Sequence, residues 1–138
     1  MHTYYFRSNQ NLKQIKVPMV NSNLKKITPF RNKSCRSGNC VYDIEELVKK
    51  AYEINFDYDH EFNCYQCKHS VKLGSFSFDA TLSKIADQVF KKYNKTKLQC
   101  KEITIFRNGI WEPTLPEYLK QLENREKDGN TTRRGNFK

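Results

Sequence analysis

The sequence lacks any apolar stretch long enough to cross a bilayer, which takes about 20 consecutive apolar residues in a helix. Its N-terminus has no feature typical of a secretory signal peptide. Hydrophobic residues make up only 37% of the 138 residues, so we expect one domain with tails and a small core. Small cores commonly need an added cross-link, which a metal ion can supply. We therefore expect no membrane association and a metal-stabilised fold.

Acidic side chains are absent from residues 1–42, which contain eight basic ones. Residues 43–62 have the opposite balance, with seven acids and two lysines. This asymmetry indicates an N-terminal segment that meets an anionic surface, either nucleic acid or an acidic protein face. A solvated basic arm without a fixed partner is an equally good interpretation. Any nucleic-acid contact through residues 1–42 should be non-specific, because no predicted helix presents a basic reading face.

Cysteine is also scarce, and four of the five cysteines form two pairs. The C-x2-C pair, Cys64 and Cys67, places two thiolates on one tight turn, where both can face a tetrahedral ion about 2.3 Å from each sulfur. The looser C-x4-C pair, Cys35 and Cys40, would complete the ligand set. The alternatives are small buried side chains or a disulfide, which reducing intracellular conditions disfavour. The spacing favours one structural zinc ion with no open position for catalysis.

Two helices are predicted by apolar residues that recur every 3.6 positions. The first follows Asp43, which can cap it, and Glu46 completes a capping box three residues later. Its apolar series begins at Ile44 and ends at Tyr52. The second helix is expected over Ala80 to Tyr93, with one continuous apolar stripe that we interpret as core.

A β-hairpin is predicted late in the chain, because Asn108-Gly109 is a strong turn signal. It joins a strand at residues 101–106 to a return strand that Pro113 and Pro116 should end. Residues 15–30 contain two prolines, which favour loops with a short hairpin around residues 21–23.

This ordered set of motifs resembles the SP-RING (Miz-type) zinc finger of the PIAS/Siz family of SUMO ligases. Pro29 lies six residues before Cys35, as a proline precedes the first cysteine of the family, and Phe62 stands where the family has a tryptophan. Residues 103–113 are similar to the strand and turn near the end of the family domain. The resemblance implies an α+β fold: a small RING-like zinc-binding domain with two main helices, a short β-hairpin and extended terminal segments.

The resemblance covers residues 15–115. Residues 1–14 then form a basic, aromatic N-terminal extension, which a partner would order through the aromatic residues 4–6. Residues 116–138 combine a short helix at 117–126 with a flexible basic tail.

The family's zinc-binding pattern is only partly present. Ser37 stands where the family has a histidine ligand, and a neutral hydroxyl binds zinc far more weakly than imidazole or thiolate. The fourth ligand is therefore open between Cys40, His60 and His69, of which Cys40 is favoured. With that choice, the implied zinc ligands are Cys35, Cys40, Cys64 and Cys67.

The activity implied by the resemblance is that of a SUMO ligase acting in the nucleus. Such ligases have no catalytic nucleophile; they bind the SUMO-charged conjugating enzyme and hold it in a reactive arrangement. The implied contacts to that enzyme are Met19, Phe62 and Tyr65, although Tyr65 replaces the proline of the family's C-P-x-C. The alternative is a degenerate SP-RING that serves as a non-catalytic structural or interaction subunit of a larger complex.

Overall fold

The computed structural model describes residues 3–6, 12–35 and 37–121. This part of the chain folds as a small α+β domain, as predicted, with two main helices and three antiparallel sheets. The helices are α1 (Ile44–Glu53) and α2 (Ala80–Tyr93). The strands are β1 (Gln14–Pro18), β2 (Pro29–Asn32), β3 (Tyr42–Asp43), β4 (Glu61–Asn63), β5 (Ser70–Lys72), β6 (Phe76–Phe78), β7 (Glu102–Phe106) and β8 (Trp111–Thr114). Neither of these helices is long and apolar enough to cross a membrane.

The first sheet has the strand order β1-β7-β8. The predicted hairpin joins β7 to β8, and Gly109 adopts the positive φ of 89° that its turn requires. Strand β8 ends at Thr114, between the two prolines expected to end it. Pro113 lies within the strand because β8 is an edge strand, where a missing N–H breaks no ladder bond. The expectation of loops before residue 19 is wrong. Ile15 and Val17 alternate with exposed neighbours and pair with β7 as strand β1.

The larger core lies between this sheet and α2. The predicted apolar stripe of α2 is confirmed, since Leu82, Ile85, Ala86 and Val89 are all buried. Asp79 caps the helix through its carboxylate, which accepts a hydrogen bond from the Leu82 amide at 3.0 Å. Because the stripe is continuous over three turns, α2 can cover the buried face of the whole sheet.

The smaller core lies among the sheet β3-β2-β6, the hairpin β4–β5 and α1. The capping box predicted for α1 is present, with Asp43 and Glu46 bonded reciprocally to backbone N–H groups. Only part of the predicted apolar series of α1 is core. Leu47 is buried, but Val48 and Tyr52 are 48% and 68% exposed. The helix therefore presents a partly apolar outer face as well as an inner one.

Residue Tyr4 packs into the larger core of the domain itself. Its amide donates to the carbonyl of Gly109 at 2.8 Å, and its hydroxyl donates to the Asp79 carboxylate. The Arg31 guanidinium lies against the same hydroxyl and forms a salt bridge with Asp79 at 2.8 Å. The N-terminal aromatic segment is thus tied to the hairpin, to α2 and to β2. The helix predicted at 117–126 is observed over residues 117–121, and its remainder and the tail lie outside the described residues.

Candidate metal centre and adjoining groove

Four cysteine sulfurs converge beside the smaller core. The Sγ atoms of Cys35, Cys40, Cys64 and Cys67 all lie within 4.8 Å of one another. A tetrahedral ion with metal–sulfur distances of about 2.3 Å requires sulfur–sulfur separations of about 3.8 Å. Each sulfur would move inward by less than about 1 Å to reach that geometry, so this donor set fits a zinc ion.

The C-x2-C pair lies at the tip of the hairpin β4–β5. The amide of Cys64 donates to the carbonyl of His69 at 2.9 Å, and the amide of Lys68 donates back to the carbonyl of Cys64 at 2.9 Å. Lys68 has a positive φ of 66°, which closes the turn immediately after Cys67. We call residues 64–69 the knuckle. Its backbone bonds hold both sulfurs on the same side of the hairpin.

The other pair, Cys35 and Cys40, lies between β2 and β3 in a loop that Asn32 anchors. We call residues 33–35 and 37–41 of this segment the cysteine loop. Asn32 is 3% exposed; its side-chain amide donates to the carbonyl of Lys72 at 3.0 Å, and its oxygen accepts from the amide of Ser34 at 2.9 Å. The Cys35 amide then donates to the carbonyl of Asn32 at 3.0 Å. Because Lys72 belongs to β5, these bonds join the first cysteine directly to the hairpin that carries the second pair.

Burial and hydrogen bonds to sulfur shift the pKa values of Cys35, Cys40 and Cys64 in different directions. Burial raises the pKa of Cys64, but the Tyr42 hydroxyl and the amides of Cys67 and Gln66 together lower this pKa more, to about 7. Burial raises the pKa of Cys40 to about 12. It also raises that of Cys35, and neighbouring thiols add to both shifts. Of these three thiols, that of Cys64 therefore ionises first in the metal-free protein, because hydrogen-bond donors already surround its sulfur.

The structure separates the candidates for the fourth ligand. Cys40 is fully buried within the group of four, whereas His60 and His69 are exposed and lie outside it. The Ser37 hydroxyl donates to the side chain of Asn39. The fifth cysteine, Cys100, lies in the larger core, and its thiol donates to the carbonyl of Glu102 at 3.2 Å.

The three residues expected to contact a conjugating enzyme have different surroundings. Met19 is fully buried in the larger core, so it presents no surface to a partner in this structure. Phe62 is half-buried and stacks on Phe76 with ring centres 6.3 Å apart. Tyr65 is 48% exposed; its ring packs edge-on against Tyr42, and its hydroxyl donates to the carbonyl of Val41 at 3.0 Å.

Phe62 and Tyr65 border a groove of about 530 Å³. Its walls are the turn after β1, the exposed side of α1 and the hairpin β4–β5 with its knuckle. Leu47 contributes apolar surface on the helix side, and Val20 does so on the turn. At the rim, the Lys50 ammonium lies 4.9 Å from the Phe62 ring centre and pairs with Glu53 at 3.0 Å. The lining thus combines apolar and aromatic residues with polar and charged ones, as protein-docking surfaces do.

The residues that sequence reasoning missed are those that support the cluster. Tyr42 and Asn32 lie outside both cysteine pairs, and the contacts that tie them to the hairpin β4–β5 and its knuckle, to Cys64 and to Lys72, join residues 22 or more positions apart in sequence. The only local signal was the position of Asn32 two residues before Ser34, which suits a side-chain turn.

Comparison with known proteins supports the fold. No family model matches the sequence. No curated protein matches it either. Among solved structures, the chain is similar to the crystal structure of the S. cerevisiae SUMO E3 ligase SIZ2, with a TM-score of 0.50 and 13% sequence identity. The match covers 76% of this chain and 36% of SIZ2, so the chain spans about a third of that protein. At this identity the likeness shows a shared fold.

Proposed function

We propose that this domain is an SP-RING-type SUMO ligase module that holds a SUMO-charged conjugating enzyme in a reactive arrangement, as part of a nuclear complex. The observation that carries the proposal is the groove, whose walls come from the turn after β1, from α1 and from the knuckle. The likeness to SIZ2, a SUMO E3 ligase, supports the same assignment. The domain needs no nucleophile of its own, because its contribution is to restrict the motion of the bound reactants.

A zinc ion held by Cys35, Cys40, Cys64 and Cys67 would be structural. Four thiolate ligands fill a tetrahedral shell, so no position remains for water or substrate. The positions of the four ligands in the chain determine which segments the ion would join. The cysteine loop and the knuckle become fixed to each other, and Tyr65 lies within the knuckle. The site therefore sets the position of one wall of the groove.

The conjugating enzyme would contact the apolar part of the groove. Tyr65 and Phe62 form one side, and Leu47 and Val20 form the other. Tyr65 presents about half of its surface although its hydroxyl is bonded to Val41. Its ring can thus pack against a partner without losing that hydrogen bond. These residues replace the expected contact by Met19, which is buried.

The test is single-turnover discharge of SUMO from its charged conjugating enzyme, with zinc content measured in the same sample. We expect the domain to accelerate discharge and Tyr65→Ala to reduce the acceleration about tenfold, as removal of a central interface aromatic does. Tyr118→Ala is the matched control, because Tyr118 is 49% exposed, as Tyr65 is 48%, and it does not line the groove. Equal activity in the two variants would exclude the groove as the docking surface.

Cysteine variants test the metal in the same assay. Cys64→Ser should abolish both zinc binding and acceleration, whereas Cys100→Ser should preserve both, because Cys100 lies in the other core. Acceleration that survives in zinc-free Cys64→Ser protein would contradict a structural role for the ion in this activity.

The second candidate is a non-catalytic interaction module with the same fold. It is favoured by the contacts of two expected docking residues within the domain: Met19 is buried, and the Tyr65 hydroxyl is bonded to Val41. A titration followed by NMR separates the candidates. If a folded, zinc-loaded sample shows no shifts at Phe62 and Leu47 on addition of the conjugating enzyme, the interaction module is correct and the ligase assignment is wrong.

A further inference from the structure

A second cavity, of about 240 Å³, lies beside the cysteine loop and shares no lining residue with the groove. One wall is the N-terminal segment 4–6. The rest comes from Arg31 and the residues that follow it, together with Ser77 of β6. This cavity is not used by the function proposed above, and its chemistry differs from that of the groove.

Arg31 supplies a buried donor that has no partner. Its Nε donates to Asp79 at 2.8 Å and to the Tyr4 hydroxyl, and its Nη1 donates to the carbonyl of Cys40 at 3.4 Å. Its Nη2 is buried and has no hydrogen-bond partner among the described residues. Buried polar groups in native proteins are almost always paired, and an unpaired charged donor is a particularly uncommon case. An acceptor from outside the described residues would satisfy it.

The charge around the cavity favours a monoanion. Arg31 is already balanced by Asp79, whose side chain is only 12% exposed. Lys33 also lines the cavity, and it forms no ion pair within the described part of the chain. None of the described lining residues is acidic. In sequence, two further basic residues, Arg7 and Arg36, flank lining residues. The described groups therefore leave one positive charge uncompensated.

The N-terminal aromatic residues give the cavity its apolar side. Tyr5 is 72% exposed, and Phe6 is half-buried. Phe6 packs so closely on Gly38 that a Cβ at that position would lie 2.4 Å from the Cβ of Phe6. Only glycine allows this approach, which closes the wall against the cysteine loop. A ligand in the cavity would thus meet a cationic side and an aromatic side.

We propose that this cavity receives the carboxylate of an aspartate or glutamate from a bound polypeptide. A carboxylate carries one negative charge, which matches the single uncompensated positive charge of Lys33, and it can accept the Arg31 Nη2 donor. The residues next to it in the bound polypeptide would pack on the exposed ring of Tyr5. Inorganic phosphate, by contrast, has no apolar part to contact the aromatic rings of the cavity.

The test is an NMR titration of the full zinc-loaded chain with the capped tripeptide acetyl-Leu-Glu-Leu-amide. We expect saturable shifts of the Arg31 Nε–H and of the backbone amides at Lys33, Ser37, Gly38 and Ser77. The uncharged analogue acetyl-Leu-Gln-Leu-amide should bind at least about fivefold more weakly, because it lacks the negative charge that strengthens hydrogen bonds from Arg31 and Lys33. Equal binding of the two peptides, or no shift with either, would overturn the proposal.

Two variants separate the local effect from that of overall charge. Lys33→Gln should weaken binding of the glutamate peptide about fivefold, since it removes the uncompensated cation. Lys84→Gln makes the same charge change on the exposed side of α2 and should leave binding unchanged. Equal weakening by both variants would overturn the assignment to this cavity.

Tighter binding of inorganic phosphate, or of a short single-stranded oligonucleotide, at the same amides would overturn the choice of a carboxylate.

Discussion

Removal of zinc should unfold the smaller core while the larger core stays folded. Among the residues that the structure describes, the smaller core has seven buried residues, and two of them are the cluster cysteines Cys40 and Cys64. The larger core has fifteen such buried residues, and none of these belongs to the cluster. The perturbation is a strong zinc chelator or the substitution Cys64→Ser. Either one would remove the link that an ion bound by the four sulfurs makes between the cysteine loop and the knuckle, and would leave the hydrogen bond from the Tyr65 hydroxyl to the Val41 carbonyl.

The magnitudes indicate that the metal is a major source of stability in this half of the domain. Its four large buried side chains, those of Tyr42, Leu47, Val71 and Leu73, contribute about 6–12 kcal/mol together at about 1.5–3 kcal/mol each. A structural zinc ion in small domains contributes about 10–16 kcal/mol. Thirteen large apolar side chains in the larger core contribute about 20–40 kcal/mol at the same rate. Loss of the ion therefore removes stabilisation of about the same size as that provided by all the large apolar side chains of the smaller core.

Native-state hydrogen exchange measures the two cores separately. After chelation, we expect fast exchange at the amides of Cys64 and Lys68, which bond across the knuckle, and continued protection at Ile103 and Ile105 in β7. The control is Cys100→Ser, which should bind one zinc ion per chain and exchange like the wild type. Continued protection of the knuckle amides in metal-free protein would refute the reasoning, and so would simultaneous unfolding of both cores.

Three further results are expected. Asp43→Ala should lower the free energy of unfolding by about 2–3 kcal/mol in a denaturant titration, because this carboxylate caps α1 and also accepts from the partly buried Thr28 amide at 2.7 Å. A loss below about 0.5 kcal/mol would contradict this role. In the same titration, Leu82→Ala should lower the free energy of unfolding by about 2–5 kcal/mol, because Leu82 is fully buried. Val48→Ala should lower it by about 0.5 kcal/mol or less, because Val48 is half exposed. Burial raises the pKa of Cys40 to about 12, so this thiol is protonated at neutral pH and zinc must displace the proton. Calorimetry of zinc binding in two buffers of different ionisation enthalpy should show that protons are released, and the apparent affinity for zinc should fall as the pH falls. Equal heats of binding in the two buffers would contradict proton release.

The features predicted correctly from the sequence are those encoded by neighbouring residues. The bounds of α2 follow from the Asp79 cap and a stripe of 3.6-residue period, and the β7–β8 turn follows from Asn108-Gly109. The capping box of α1 is a four-residue pattern. In each case the hydrogen bonds that define the feature connect residues within a few positions of one another, so local chemistry is sufficient.

The features missed depend on contacts between distant parts of the chain. The prolines predict loops over residues 15–30, but β1 forms there because its partner β7, nearly 90 positions later, completes the ladder. The apolar series of α1 includes the exposed residues Val48 and Tyr52, because periodicity identifies an apolar stripe and not what covers it. The sequence predicts that a partner orders the aromatic residues 4–6, whereas the Tyr4 hydroxyl is bonded to Asp79, 75 positions away.

The candidate site shows the same division. The spacing of the cysteines predicted two knuckle-like pairs, and the structure brings the four sulfurs together. The residues that set the pKa of these thiols and anchor their loops could not be predicted, because Tyr42 and Asn32 meet their partners only after the sheets have formed. The burial of Met19 was missed for the same reason, since its backbone pairs with Lys101 and Ile27.

The participation of Cys40, in place of the residue at position 37, changes what a bound metal can control. Cys40 lies two residues before β3, and α1 begins directly after that strand. A metal ligated by Cys40 is therefore linked to the start of α1 through three intervening residues, whereas position 37 would leave a longer loop between them. Because α1 and the knuckle form facing walls of the groove, ligation through both Cys40 and the knuckle cysteines would fix the width of the groove. A metal site without catalytic chemistry can in this way determine whether a partner is bound.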